Sequence, residues 1–361
     1  MKLTAQIKLR PTKEQKEILL ETLEVCNRAC DYISGVAFEK SVYSKFKLQT
    51  IVYTDVKEKF KLSAQIVIRC IGKVCDSYKI DKMVKRRFRK SGAIPYDSRI
   101  LSYRPDKVMV SIWSIEGRLK ISFVCGEHQR KLLEFQQGES DLAYHKGKFY
   151  LLATCDVQDD DPIDFDKFIG VDLGIVNIAT TNSGESFSGD AVEKVRQRFL
   201  SLRGRLQKCG SKSAKRHLKK ISKLEKNFRK DTNHKIAYWL VRKAKALVAA
   251  IVLEDLKELT RNSRKKRTVR KKQRAKLSSW AFYQLRQFIE YKAKRFGIPV
   301  ILVDPKNTSR ECSACGHIDK RNRKSQSEFV CCKCNHNENA DVNAAKNLVV
   351  RAACLPAYCN A

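Results

Sequence analysis

Leu3, Ala5, Ile7 and Leu9 alternate with polar residues, a spacing that predicts a half-buried strand ended by Pro11 and Thr12. Thr12 and Gln15 then read as a capping box, opening a helix that gathers Ile18, Leu19, Leu23, Cys26 and Ile33 on one side. Helical spacing returns over residues 65–78, followed by the basic run 85–90 and a Ser91-Gly92 stop. Strand alternation takes over next. Val108, Val110 and Ile112 before Glu116-Gly117, with Leu119, Ile121 and Phe123 after it, predict a hairpin. Residues 142–144 and 149–154, joined through His145, Lys146 and Gly147, predict a second one.

An acidic stretch, 156–166, contains Pro162 and reads as a linker. Beyond it the pattern is α/β. Residues 168–171 form a short apolar strand, and 191–245 a long, very basic helix broken near Cys209 and Gly210. The run 247–253 is too apolar for a surface strand and suits a central one. A basic loop over 261–276 leads to a helix over 279–296, stopped by Gly297 and Pro299, and a buried strand over 300–303. No fixed-period repeat runs along the chain, which argues against a solenoid.

Charge narrows the function. The 361 residues carry 74 Lys and Arg against 39 Asp and Glu, a formal net charge of +35. A compact state with that excess repels itself, and a polyanion is the usual compensation. Nucleic acid is the partner expected, since neutralised phosphates release their counterions. No stretch approaches the ~18 apolar residues of a membrane span, and the N-terminus lacks the apolar core of a secretory signal. A cytoplasmic protein is therefore expected, with its 14 cysteines reduced. Cys26 and Cys30, one helical turn apart, read as small buried hydrophobes.

Three carboxylates stand at element ends. Asp172 follows the apolar strand in a Gly-Val-Asp-Leu-Gly context, Glu254 closes the most apolar strand, and Asp341 sits at the opening of a helix over Asn339-Ala340-Asp341. In an open α/β sheet, strand ends gather at one edge, where distant residues converge. Clustered carboxylates repel unless a cation lies between them. Hard oxygen donors select Mg²⁺ or Mn²⁺, and two such ions clamp the attacking and leaving oxygens of a phosphodiester. Asp304, just before Pro305, reads instead as a turn residue.

Cys312 and Cys315, a 15-residue spacer, then Cys331 and Cys334 make the paired C-x₂-C pattern of a structural zinc site. Cys332 lies inside the second knuckle as a spare, and His317 and His336 flank the site.

The stretches GVDLGIVNIATTNSG, VLEDLKEL, NTSRECSACGH, FVCCKC and NADVNAAKNL, in this order, resemble TnpB, the transposon-encoded RNA-guided DNA endonucleases also called OrfB-type transposases and akin to compact type V CRISPR effectors. The resemblance covers roughly residues 168–349 and implies an α/β and β multi-domain chain. Residues 1–155 would be an N-terminal wedge-like β-barrel with a helical recognition insert over about 12–95. Residues 156–166 would be the linker. Residues 167–361 would be a RuvC-like (RNase H) nuclease with an inserted four-cysteine zinc ribbon at 308–338. Asp172, Glu254 and Asp341 match the catalytic, magnesium-binding carboxylates, and Cys312, Cys315, Cys331 and Cys334 the zinc ligands. The Arg expected before the last Asp is Ala340 here. Guide RNA and double-stranded target DNA are the implied partners. Lys85, Arg86, Arg87 and Arg89, with Arg264, Lys265, Lys266, Arg267, Arg270, Lys271 and Lys272, are candidate phosphate contacts, and Phe88 a candidate base-stacking residue. The basic helical arm 194–245 suits an RNA–DNA heteroduplex. A DNA strand transferase with the same triad, or an RNA-guided repressor that does not cut, stays open at this point.

Overall fold

The computed structural model describes residues 1–255 and 282–355, and the chain divides into two compact units, 1–158 and 159–361.

The first unit begins with β1 (Lys2–Arg10), then three helices: α1 (Lys13–Glu39), α2 (Lys45–Phe60) and α3 (Ala64–Tyr78). Thr12 and Gln15 do form a capping box at α1, and Leu19, Leu23, Cys26 and Ile33 are buried as their spacing predicts. Cys30 Sγ points at the Cys70 carbonyl and Cys70 Sγ at the Cys26 carbonyl, so α1 and α3 meet through thiols. Burial pushes the Cys30 thiol up, which keeps it an inert hydrophobe.

Six further strands follow: β2 (Ile94–Tyr96), β3 (Leu101–Arg104), β4 (Met109–Ser114), β5 (Gly117–Val124), β6 (Gln136–His145) and β7 (Lys148–Asp156), with α4 (Glu127–Leu133) between β5 and β6. The antiparallel sheet has the order β2-β6-β7-β1-β5-β4-β3. Its two ends come together. Tyr103 of β3 donates to Ser140 of β6 at 3.0 Å, and Tyr96 of β2 to the Trp113 carbonyl of β4 at 3.2 Å. The result is a nearly closed barrel, filled by alternate residues such as Ile7, Leu9, Val110, Ile112 and Leu151. Both expected hairpins are present as β4–β5 and β6–β7.

The second unit holds a five-stranded mixed sheet: β8 (Lys167–Asp172), β9 (Asn177–Thr181), β10 (Ser186–Ser188), β11 (Ala249–Glu254) and β12 (Val300–Val303), in the order β10-β9-β8-β11-β12. Neighbours from β10 to β8 are antiparallel, while β8, β11 and β12 run parallel. The basic arm is a helical hairpin of α5 (Asp190–Cys209) and α6 (Lys212–Leu247), turned at Gly210 and held by the ion pair of Arg203 with buried Glu225. The apolar run at 247–253 straddles two elements: Leu247 ends α6, and the strand begins at Ala249.

Side-chain alternation sorts the sheet's two faces. Ile169, Val171, Ile251 and Leu253 pack with α6 and with α7 (Phe282–Arg295). Phe168, Ala250 and Val252 face the other way, toward Leu348 and Ala352 of α8 (Ala340–Ala353). Gly170 belongs to that second face for a steric reason: a Cβ there would lie 2.1 Å from the Ala345 carbonyl oxygen. The acidic stretch expected as a linker is docked on this unit, with Asp160 and Ile163 bonding the backbone at Arg295 and Gly297. Among the described residues no helix is long and apolar enough to cross a membrane.

Candidate active site and metal centres

The face assignment dictates where the carboxylates meet. Val171 pairs with Leu253, so Asp172 and Glu254 end adjacent parallel strands side by side. Each continues the alternation of the α8 face. Asp341 lies in the first turn of α8, which Asn339 caps by accepting from the Asp341 and Val342 amides. Residues far apart in the chain, at 172, 254 and 341, thus converge at one end of the sheet.

Glu254 is 8% exposed and Asp341 5%. Thr308 donates to Glu254 Oε1 at 2.6 Å, and Asn177 to Asp341 Oδ2 at 2.9 Å. Arg323 Nη2 stands 3.4 Å from Asp341 Oδ1. Burial, with the charges of Glu254 and Asp341, pushes Asp172 up to about 7, against the pull of Arg323. Burial also raises Glu254, opposed by the Thr308 hydrogen bond and the charge of Arg351, with Asp304 adding to the rise. Asp304 itself is exposed and accepts from the Lys306 amide at 2.9 Å, as a turn residue does. The cluster is thus short of positive charge, and its donors are hard oxygens, a set that fits magnesium or manganese.

The cysteine quartet is tighter. Cys312, Cys315, Cys331 and Cys334 bring their sulfurs within 4.8 Å of one another, Cys312 and Cys331 buried and the other two exposed. Sγ separations of 3.6 Å for Cys312–Cys334 and for Cys315–Cys331 match the edge of about 3.8 Å of a tetrahedron of sulfurs around zinc. The two knuckles close alike. The Cys312 and Cys331 amides donate to the His317 and His336 carbonyls, and Gly316 and Asn335 donate back to the Cys312 and Cys331 carbonyls. Burial opposes ionisation of Cys331, but the Cys334 and Lys333 amides, together with the neighbouring Cys334 and Cys315 thiols, outweigh it and bring that thiol down to about 6. His336 is directed at Ser313 and Glu338, not at the sulfurs. A hairpin of β13 (Glu328–Val330) and β14 (Asn337–Asn339) leads from this ribbon straight into α8.

The basic candidates divide. Lys85, Arg86, Arg87 and Arg89 lie in the first unit on an irregular segment fastened to α1. Arg86 is half-buried and donates to the Asp81 carbonyl, Lys85 is 4.0 Å from Glu39, and Arg87 and Arg89 are exposed. Phe88, the candidate stacking residue, is half-buried against the core, with Lys73 over its ring. Arg264, Lys265, Lys266, Arg267, Arg270, Lys271 and Lys272 lie outside the described residues. Arg323 was not singled out by the sequence; nothing in its context separates it from the rest of the chain's 74 Lys and Arg.

A mixed α/β sheet with carboxylates at adjacent parallel strand ends, and a four-cysteine ribbon suited to zinc leading into the helix of the third, defines a class of α/β proteins. Known proteins sharpen it. The OrfB family described as a probable transposase matches residues 154–260, and the Cas12f1-like TNB domain residues 282–348. The CRISPR-associated endodeoxyribonuclease Cas12f1 of Sulfoacidibacillus thermotolerans is 32% identical over 237 residues, 60% of this chain and 54% of that protein. A TnpB-like protein of Methanocaldococcus jannaschii is 28% identical over 268 residues, 69% of this chain and 92% of its own. The cryo-EM structure of a Cas12f1–sgRNA–target DNA complex superimposes with a TM-score of 0.61 at 18% identity, over 94% of this chain and 83% of that one. The chain belongs to the TnpB/OrfB family, related to Cas12f. It spans about half the length of the Cas12f1 relatives it matches.

Proposed function

We propose that the chain is an RNA-guided, magnesium-dependent DNA endonuclease, with a RuvC-like nuclease over residues 167–361. The observation that carries this reading is the side-by-side ending of β8 and β11 in Asp172 and Glu254, with Asp341 of α8 against them. The sheet order supports it: three antiparallel strands followed by two parallel ones, the first strand in the centre, is the order of an RNase H-type fold. The endodeoxyribonuclease named among its relatives and the sgRNA and target DNA of its structural neighbour supply the substrate class.

Each of this chain's groups has a task in that reaction. Thr308 and Asn177 each occupy one oxygen of Glu254 and Asp341, leaving the others for a cation. Magnesium or manganese held by the three carboxylates supplies, when bound, the charge that activates water and stabilises the departing 3′ oxygen. Arg323 would leave Asp341 for the scissile phosphate, whose negative charge builds in the transition state. The zinc of the four cysteines is structural, holding the segment that delivers both Thr308 and Arg323. The barrel and helices of residues 1–155 act as wedge and recognition elements. The exposed Lys215, Lys219, Lys223 and Lys226 of α6 lie along one face and suit a nucleic-acid backbone.

The test is co-expression with the RNA encoded beside the gene, followed by cleavage of a target-bearing duplex in magnesium. RNA-dependent cutting, lost in Asp172→Ala while RNA still binds, is the expected result. Strand joining that ignores the RNA identifies a transferase, and RNA-dependent occupancy without cutting a repressor; either overturns the proposal.

A further inference from the structure

The ribbon carries a second group of metal-ligand side chains that the four-cysteine site does not use. His317 follows the first knuckle, Asp319 precedes a short 3₁₀ turn (Lys320–Asn322), and Cys332 is the spare thiol of the second knuckle. One ring nitrogen, one carboxylate oxygen and one sulfur from these three residues all lie within 4.8 Å of one another. We propose that His317, Asp319 and Cys332 form a second zinc site with an open coordination position on the solvent side of the ribbon.

The convergence is built into the backbone. Asn322 is fully buried, and its side-chain amide donates to the carbonyls of His317 at 3.0 Å and Arg310 at 2.9 Å. Its Oδ1 accepts from the Cys332 amide at 3.0 Å. One side chain therefore clamps the segments that carry two of the three ligands. The Asn322 amide closes onto the Asp319 carbonyl, fixing the third. The four-cysteine knuckles each close through their own turns, and this clamp ties the first to the second, so one buried side chain serves both groups of ligands.

The donor chemistry selects the ion. A thiolate, an imidazole and a carboxylate form a mixed S, N, O set that suits zinc and not magnesium. Three protein ligands leave the fourth tetrahedral position to water or an incoming donor. The exposure of Cys332 lets the ion exchange with solvent. Occupancy would also change the neighbourhood. Asp319 is held by Arg321 through Nε at 3.2 Å and Nη2 at 2.8 Å. An ion that takes a carboxylate oxygen competes with this guanidinium, which is 77% exposed and would be turned toward the solution. Zinc would thus add its own charge and release Arg321 on the same surface.

Zinc per chain, measured by elemental analysis of the full protein equilibrated against graded free zinc, tests the site. The wild type should fill one tight site and then a second, weaker one. His317→Ala and Cys332→Ser should each weaken the second by about 10-fold or more and leave the first intact. Arg321→Ala should tighten it, because Asp319 loses its competitor. A wild type that stops at one equivalent in excess zinc overturns the proposal. So does a second equivalent that survives both variants but vanishes in Asp172→Ala, which would assign it to the carboxylate cluster. Loss of the tight site in Cys332→Ser would make Cys332 a ligand of the first zinc, and would equally overturn it.

Discussion

Thr308 donates a 2.6 Å hydrogen bond to Oε1 of Glu254, so the root of the ribbon orients the carboxylate that closes the central strand. Both groups are buried, Thr308 at 3% exposure. With the donor gone, Glu254 loses an interaction that favours its charged form and fixes its plane. Thr308→Val keeps the shape and removes the donor. Single-turnover cleavage should fall by about 10–100-fold, with part of the loss recovered at high magnesium, while Thr308→Ser stays near the parent. A Val variant as fast as the parent at every magnesium concentration would show that the bond is idle.

Without divalent ions Asp172 titrates near 7, because burial and two neighbouring carboxylates disfavour its charge. Its folded-state value lies above that of the unfolded chain. The stability it contributes is therefore complete below about pH 4 and is lost as the pH rises through 7. The loss is at most about 4 kcal/mol. Asp172→Asn removes this dependence. Denaturation at pH 5 and pH 8 without added magnesium should find the variant gaining on the wild type at the higher pH. Magnesium should erase that gain by stabilising the wild type. Parallel pH profiles for the two proteins would contradict the site's electrostatics.

Much of this arrangement was legible because burial leaves a period. The β4–β5 and β6–β7 hairpins and the apolar β11 all showed theirs. β9 did not: Ile178, Ala179, Thr180 and Thr181 are all buried, so no alternation survives, and two threonines disguise the strand. β10 is three residues long, too short for any pattern. At 247–249 the helix end and the strand start are both apolar, and only the left-handed backbone of Val248 divides them. Asp172 and Glu254 stood out because each closes an apolar strand, and Asp341 because it opens a helix. Arg323 acquires its significance only through the fold of the ribbon, which no local spacing encodes.

Arg323 is the cation that the ribbon sets beside Asp341, and its field also reaches Asp172. Arg323→Ala should lower the cleavage rate by about 100-fold or more, the scale of losing one preorganised charge at a transition state. RNA and DNA affinity should change little, since one contact among many phosphates is lost. Arg323→Lys keeps the charge without the planar fork and should recover only part of the rate. A variant with normal cleavage but weak DNA binding would make Arg323 a binding residue.

Gly170 tests the packing that joins the carboxylates. A Cβ at this position would lie 2.1 Å from the Ala345 carbonyl oxygen and 2.9 Å from Val349 Cγ2. Since neither backbone nor packed side chain can retreat freely, Gly170→Ala should push α8 off β8. The expected destabilisation is about 1–3 kcal/mol, read from denaturant midpoints. Asp341 rides on α8, so magnesium affinity should fall as well. An unchanged affinity alongside lowered stability would mean that the helix start holds its place when its middle shifts.

Zinc removal should act locally because the ribbon is joined to α8 by a definable set of bonds. Asn343 accepts from the Ser313 amide and donates to the Glu311 carbonyl, and Asn347 donates to the Thr308 and Glu311 carbonyls. The knuckles beyond these bonds have a very small core: Cys312, Phe329, Cys331 and Ala340. Without the ion, four sulfurs remain at sub-4.8 Å spacing with no charge to hold them. Chelation should abolish amide-exchange protection over residues 310–339, whereas β8 and β11, buried between α8 and the α6–α7 layer, keep theirs. Magnesium should still bind, more weakly, since Asp172 and Glu254 stay on the sheet while Asp341 and Thr308 lose part of their support. Protection lost evenly across the sheet would instead make zinc the nucleus of the whole second unit.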